Sequence, residues 1–264
     1  MQYSFHGLTD AGSVRTNNED SLAIDAVHGV AILADGMGGY NAGEVASTMA
    51  TEFIKSELVH WLSQESRQSD LKRVERAVEM CADEANLAIL HAADANPHYT
   101  GMGTTLVVAV FQGKHLVLGH IGDSRCYRLR EGKLSQLTRD HSILQEHIDA
   151  GLLTIEQAAS APGRNLLTRA LGVEKTTRIE IHEHHVHDAD LYLLCSDGLN
   201  DMVSDQDIGS ALDSAAELPA IASTLVGRAI ANGGRDNVSV LLVRAQAWPE
   251  TGFNDTAFLK NPMA

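Results

Sequence analysis

Five aspartates in this chain stand where an apolar run meets a turn. Asp35 closes the run 30–34 and is followed by Gly36-Met37-Gly38-Gly39. Asp123 closes 116–122, and Asp197 closes 191–196 just before Gly198. Asp236 opens 237–243 behind Gly233-Gly234-Arg235, and Asp20, behind Glu19, opens the run that precedes Asp35. A buried carboxylate protonates or finds a partner, and too few Lys and Arg adjoin these positions to neutralise them all. Hard divalent cations would do so, because Mg²⁺ and Mn²⁺ take carboxylate, carbonyl and water oxygens. Any one of these aspartates is equally well explained as a turn former. Their number points to a multi-metal carboxylate site, and the residues alone go no further.

The elements that must position them are short. The run 30–34 is too brief for a helix and reads as a buried strand. The glycines at 36, 38 and 39 let the backbone close on whatever Asp35 holds. Asn41-Ala42-Gly43-Glu44 offers an N-cap with a Glu three residues on, which predicts a helix start. Val45, Met49, Phe53, Leu58 and Leu62 continue that helix, and a second amphipathic helix is predicted over 71–92. Strands are predicted over 3–10 and 21–25 on either side of the first turn. Beyond Gly101, the runs 104–111, 115–121, 124–130 and 134–137 predict an antiparallel meander. Gln112-Gly113-Lys114 and Glu131-Gly132-Lys133 serve as its hairpin turns. Residues 141–171 are broken by Gly151, Pro162 and Gly163 and suit a mobile flap. Strands over 178–182, 190–195 and 237–244 and helices over 205–213 and 219–232 complete the pattern. Segregated sheets and helices predict a layered α+β domain.

Composition limits the function. The 264 residues are 44% hydrophobic and 21% charged, as in an ordinary globular protein. No apolar run is long enough to span a bilayer, and no leader for secretion precedes the first strand. Cys81, Cys126 and Cys195 lie far apart and read as reduced thiols in a cytoplasmic protein. A net charge of −15 argues against nucleic acid or an anionic membrane as partner.

Six segments occur in order: Arg15-Thr16-Asn17-Asn18-Glu19-Asp20, Ala34-Asp35-Gly36-Met37-Gly38-Gly39, Gly101-Met102-Gly103-Thr104-Thr105, Gly122-Asp123-Ser124-Arg125, Ser196-Asp197-Gly198-Leu199 and Gly234-Arg235-Asp236-Asn237-Val238. Together they resemble the ordered motifs of the metal-dependent serine/threonine phosphatases of the protein phosphatase 2C (PPM) family, in its compact bacterial form. The resemblance covers residues 7–243.

It implies a four-layer sandwich of two antiparallel β-sheets flanked by α-helices. The phosphatase domain would span 1–246 with a flap at about 141–171, followed by a loosely structured tail over 247–264. It also implies two or three Mn²⁺ or Mg²⁺ ions per chain. By motif, Asp35 resembles the residue that bridges two metals and Gly36 the one whose carbonyl binds the second. Asp197 and Asp236 match further ligands, and Asp123, sharing Asp197, matches a third site. Asp20 and Glu19 match the residues that hold metal-bound waters, and Arg15 the arginine that grips phosphate.

The implied activity is hydrolysis of phosphoserine and phosphothreonine monoesters by direct attack of a metal-bridging hydroxide. The implied partners are phosphorylated proteins and a cognate Ser/Thr kinase. Met37 departs from the histidine that many eukaryotic members carry there as a proposed general acid. The proton donor is therefore open, with a water near Asp123 or the imidazole of His141 as candidates.

Other chemistries fit less well. A cysteine-nucleophile phosphatase needs Arg six residues after Cys, where this chain has Leu87, Gly132 and Asp201. The aspartyl-phosphate pattern fails at Asp188-Ala189-Asp190-Leu191-Tyr192, and no phosphate loop of the Gly-x-x-x-x-Gly-Lys type is present. His182-Glu183-His184-His185-Val186-His187 looks like a metal tract, but strand alternation splits its histidines between two faces. Arg125, Arg139 and Arg169 read as structural or substrate-rim charges. A catalytically weak phosphoprotein-binding module of the same fold, or a Ca²⁺-binding structural domain, remain the rivals. The first predicts loss of metal ligands, yet none of the matched acids is lost; the second predicts no turnover and a preference for the larger ion.

Overall fold

The structure is a computed structural model that describes residues 1–39, 42–65, 70–158, 161 and 166–248. The expected N-cap at Asn41, the breaks at Pro162 and Gly163, and positions 249–264 of the expected tail lie outside the described residues.

The apolar runs become the central strands of two antiparallel sheets. One sheet has the order β1-β11-β10-β7-β8, from β1 (Gln2–Asp10), β11 (Val238–Gln246), β10 (Leu191–Cys195), β7 (Arg125–Arg130) and β8 (Lys133–Gln136). The other has the order β2-β3-β5-β6-β9, from β2 (Asp20–Asp25), β3 (Val30–Met37), β5 (Leu106–Gln112), β6 (His115–Ile121) and β9 (Glu180–His185). A two-residue strand, β4 (Gly103–Thr104), pairs with the end of β3.

The central strands read as unbroken apolar runs because they are buried on both faces. From β3, Val30, Ile32 and Ala34 pack against the first two helices, α1 (Ala42–Gln64) and α2 (Leu71–Ala95), while Ala31 and Leu33 fill the space between the sheets. From β11, Leu241, Val243 and Ala245 enter that same inter-sheet core. Val238, Val240 and Leu242 face α6 (Asp205–Leu212) and α7 (Leu218–Ala231). The result is the four-layer helix–sheet–sheet–helix sandwich. The short helices α3 (Ile143–Asp149), α4 (Ile155–Ala158) and α5 (Asp197–Asn200) lie in the connections.

Three expectations are corrected. The inward stripe of α1 is Ala46, Ala50, Ile54, Leu58 and Leu62, with Val45, Met49 and Phe53 only half-buried beside it. Alanine at 46 and 50 lets the helix axis sit close to β3. The expected meander over 104–137 is two hairpins in different sheets: β5 pairs with β6 and β7 with β8, and the chain changes sheet between β6 and β7. The strand expected over 178–182 lies further on, at Glu180–His185, because its register is set by pairing with residues 115–120 of β6.

Candidate active site

The candidate acids stand at one end of the sandwich, where strands finish and the chain changes sheet. Asp20, the first residue of β2, is the register partner of Asp35, two residues before the end of β3. The Asp35 backbone is fixed from both sides. Its N–H donates to Thr105 Oγ1 at 3.0 Å, and its carbonyl accepts from Thr105 N–H and Thr104 Oγ1, each at 2.9 Å. Gly36 donates its N–H to Glu19 O at 3.1 Å. A Cβ on Gly36 would sit 2.1 Å from Gly43 O, so only glycine lets α1 start against this turn.

Asp123 lies in the three-residue crossing from β6 to β7, behind Gly122, whose φ of +99° favours glycine. Asp197 opens α5 directly after β10, and Asp236 stands just before β11. Arg15, in the crossing from β1 to β2, places Nη2 2.7 Å from Asp236 Oδ2. Arg15, Glu19, Asp35, Gly36, Asp123, Asp197 and Asp236 therefore line a single cleft, with Met37, Thr105 and Leu167 completing its wall. Asp20 is buried immediately behind it, beside Asp35.

Burial, then mutual repulsion, dominates the electrostatics. Burial pushes Asp35 well above the usual carboxylate range, and the charges of Asp20, Asp197, Asp123 and Asp236 push it further. Asp197 is raised well above that range by burial and then by Asp123, Asp201, Asp236 and Asp20. Asp20 is raised to about 6, again chiefly by burial, and Asp123 to about 7 by burial and then by Asp140. Glu19 is also raised by burial. Asp20 Oδ1 is buried with no hydrogen-bond partner, while its Oδ2 accepts from Ser196 Oγ at 2.8 Å. An all-oxygen donor set with an orphaned oxygen and self-repelling carboxylates fits hard divalent cations.

Sequence reasoning missed the residues that brace this end. Asn237 accepts the Glu19 N–H on Oδ1 at 2.8 Å, and its Nδ2 donates to Asn17 O at 2.8 Å and Ala11 O at 3.1 Å. It thereby ties the Arg15 turn to β11. Ser196 joins Asp20 to the Ser239 N–H. Both positions stood in the quoted motifs. Their cue was a small polar residue beside a candidate ligand.

His141 is not brought to the cleft. Its Nδ1 accepts the Gly122 N–H at 3.2 Å, its Nε2 is 3.0 Å from Glu180 Oε2, and the residue is 7% exposed. The histidine tract divides by face: His182 and His184 lie together, and His185 lies with His187. Arg125 is held by Asp140 at 2.6–3.0 Å and by Tyr127. Arg139 pairs with Asp149. The segment read as a flap is pinned at its base by the bridges Ser142–Leu167 and Thr104–Leu171.

Residues 11–228 match the family model described as Protein phosphatase 2C. The chain is 42% identical over 238 residues to the serine/threonine protein phosphatase PstP of Mycobacterium tuberculosis, covering 89% of this chain and 43% of that protein. It thus spans less than half the length of that relative. It is 35% identical to the serine/threonine phosphatase stp of Listeria innocua, covering 89% of this chain and 93% of that one. A crystal structure of the PstP catalytic domain with two manganese ions superposes with a TM-score of 0.80 at 38% identity, covering 93% of this chain and 99% of that one.

Proposed function

Because the chain belongs to the protein phosphatase 2C family, we propose that it is a metal-dependent protein serine/threonine phosphatase. It hydrolyses phosphoserine and phosphothreonine monoesters on proteins phosphorylated by a Ser/Thr kinase. The observation that carries this reading is the convergence of Asp35, Asp123, Asp197 and Asp236 with Arg15 in one cleft. Proteins similar to this chain are named as serine/threonine phosphatases, and PstP binds two manganese ions.

In this reading Asp35 and the Gly36 carbonyl hold two Mn²⁺ or Mg²⁺ ions together with Asp197 and Asp236. Asp123 and Asp197 would hold a third, and Asp20 and Glu19 would orient the surrounding waters. When bound, such ions lower the pKa of water and neutralise charge on the phosphoryl oxygens. Arg15 leaves Asp236 to grip the phosphate through two parallel N–H donors, a geometry lysine cannot reproduce. Thr104 and Thr105 keep the Asp35 backbone from moving as charge builds beside it. Met37 lines the cleft and has no proton to give, so the leaving group takes its proton from elsewhere. Residues 1–246 form the catalytic domain, with 141–171 as its flap. Among the described residues no helix is long and apolar enough to cross a membrane, and we assign the protein to the cytoplasm.

The test is hydrolysis of a phosphothreonine peptide with Mn²⁺, Mg²⁺ or Ca²⁺, with a chelator control and the phosphotyrosine peptide alongside. Turnover with Mn²⁺ or Mg²⁺, abolished by chelator and preferring phosphothreonine, is expected. Binding of the phosphopeptide without turnover in any metal would replace the enzyme by a recognition module.

A further inference from the structure

Among the described residues, a cluster of possible ligand side chains outside the cleft joins His120 on β6, His141 ahead of α3 and Glu180 on β9. One ligand atom from each lies within 4.8 Å of the others. Two imidazoles and a carboxylate are the composition of a zinc site, but a count of protons gives a different reading. His141 Nδ1 accepts the Gly122 N–H, so the lone pair is there. A neutral imidazole has one N–H, which must then be on Nε2, donating to Glu180 Oε2 at 3.0 Å. A cation at Nε2 would require either loss of the Gly122 contact or an imidazolate. Arg169 Nη1, 3.5 Å from the same nitrogen, adds a positive charge where the cation would sit.

We propose that Glu180, His141 and Gly122 form a positioning chain that aims Asp123 at the third cation position beside Asp197. This inference rests on the phosphatase reading for the role of Asp123. His141 grips both backbone polar groups of Gly122: its own N–H donates to Gly122 O at 2.9 Å, and its ring accepts the Gly122 N–H. That grip falls where ladder bonds are missing, because β6 ends at Ile121 and β7 starts at Arg125. The turn that carries Asp123 changes sheet here, and a side chain must replace the sheet as its anchor.

Glu180 sets the ring. It is the register partner of His120, its Oε1 is engaged by His182 at 2.9 Å, and its Oε2 receives His141. Although burial works to raise it, hydrogen bonds from His141 and His182 bring the Glu180 carboxyl down to about 2, so it stays an acceptor. The fully buried His120 ring lies against His141 at 4.6 Å with an interplanar angle of 18°, which fixes the imidazole plane. Its Nε2 faces Arg139 O at 2.9 Å. Outer partners of this kind orient ligands, and their loss weakens metal affinity about 10–100-fold.

The test compares His141→Asn, whose amide oxygen can stand where Nδ1 accepts the Gly122 N–H, with His141→Gln, which reaches towards Glu180 and leaves Gly122 without an acceptor. Glu180→Ala removes the outer link without touching the turn. Full-length chains are titrated with Mn²⁺ by calorimetry, and melting temperature and phosphopeptide turnover are measured in parallel.

His141→Gln is expected to weaken the loosest Mn²⁺ at least about tenfold and to lower kcat. The two tighter ions, the peptide KM and folding should be retained. His141→Asn should recover most of the affinity, and Glu180→Ala should fall between. Adding His141→Gln to Asp123→Asn should cost nothing further, since both act through one carboxylate. Equal defects for Asn and Gln, or an additive loss in the double variant, would overturn the positioning chain. Absence of turnover in the unsubstituted protein would overturn the phosphatase reading instead, because the calorimetric comparison needs no substrate.

Discussion

Arg15 and Asp236, 221 positions apart, meet through a 2.7 Å hydrogen-bonded ion pair at the mouth of the cleft. The residue assigned to phosphate is thus held by a residue assigned to metal. The Arg15 side chain is 52% exposed, and an ion pair this open contributes at most about 1 kcal/mol. Exchange of the carboxylate for a phosphate dianion is therefore a small step. In the proposed mechanism the pair would keep Arg15 folded over the cleft until metal claims Asp236 and phosphate claims the arginine.

Arg15→Ala should raise the phosphopeptide KM about tenfold or more and change kcat less. Arg15→Lys should recover only part of the loss, because one ammonium cannot make two parallel contacts. Steady-state kinetics with saturating Mn²⁺ checks this, and an unchanged KM would remove Arg15 from the phosphate.

Asp35→Asn should lower Mn²⁺-dependent turnover at least about 10³-fold while the fold persists. The backbone bonds from Thr104 and Thr105 do not involve the carboxylate. Removal of a half-buried, mutually repelled carboxyl should leave the chelated variant at least as heat-stable as the parent. Calorimetry and circular dichroism melts decide it; near-parental turnover would contradict the site.

The metal-free protein should lose stability as pH rises. Asp20 is raised to about 6 and Asp123 to about 7, against about 4 in an unfolded chain. The native state therefore binds more protons than the unfolded one between those values. Its stabilisation is complete below about pH 4 and is lost as pH rises through 6 and 7. Melting temperature with chelator should fall by about 5 °C between about pH 5 and pH 8, and saturating Mn²⁺ should abolish the fall. A flat or rising curve would contradict these shifts.

Asp190→Ala should be costly at a distance from the chemistry. Asp190 is fully buried and accepts from Arg130 Nε at 2.7 Å, Arg130 Nη2 at 2.6 Å, Tyr192 Oη at 3.0 Å and His187 N–H at 2.8 Å. Its removal leaves the half-buried guanidinium with only His185 O, and the Tyr192 hydroxyl and His187 N–H without their acceptor, so urea melts should show a loss of about 3 kcal/mol. Phosphatase activity at low temperature should survive.

Local pattern carried the strands, because a strand buried on both faces needs apolar residues at every position, as in Val30–Ala34 and Leu191–Cys195. It carried the hairpins too, since Gly113 and Gly132 turn with positive φ. It could not tell which sheet a hairpin joins. Nothing in Gly122-Asp123-Ser124 distinguishes a turn within a sheet from a crossing between sheets, and that choice depends on the pairing of Leu191–Cys195 with residues 125–129. The candidate ligands were legible as acids at strand ends. The braces were not: Asn237 and Ser196 reach back to residues 11–20 through bonds that span 176 to 226 positions, which no local pattern encodes. His141 stood out as an imidazole near the site, but its role follows from the orientation of Gly122, visible only in three dimensions.

The order of strands in the first sheet bears on synthesis. β11 lies between β1 and β10 and carries Asp236 at its head. While a ribosome is still making residues beyond 230, β1 has no neighbour in its sheet, Arg15 has no carboxylate to hold, and Glu19 lacks the Asn237 clamp. A nascent chain can pack α1 and α2 on the other sheet, yet its acidic cleft still lacks Asp236. In the phosphatase reading the chain is thus silent during its own translation, and acquisition of metal would report that the last strand has docked.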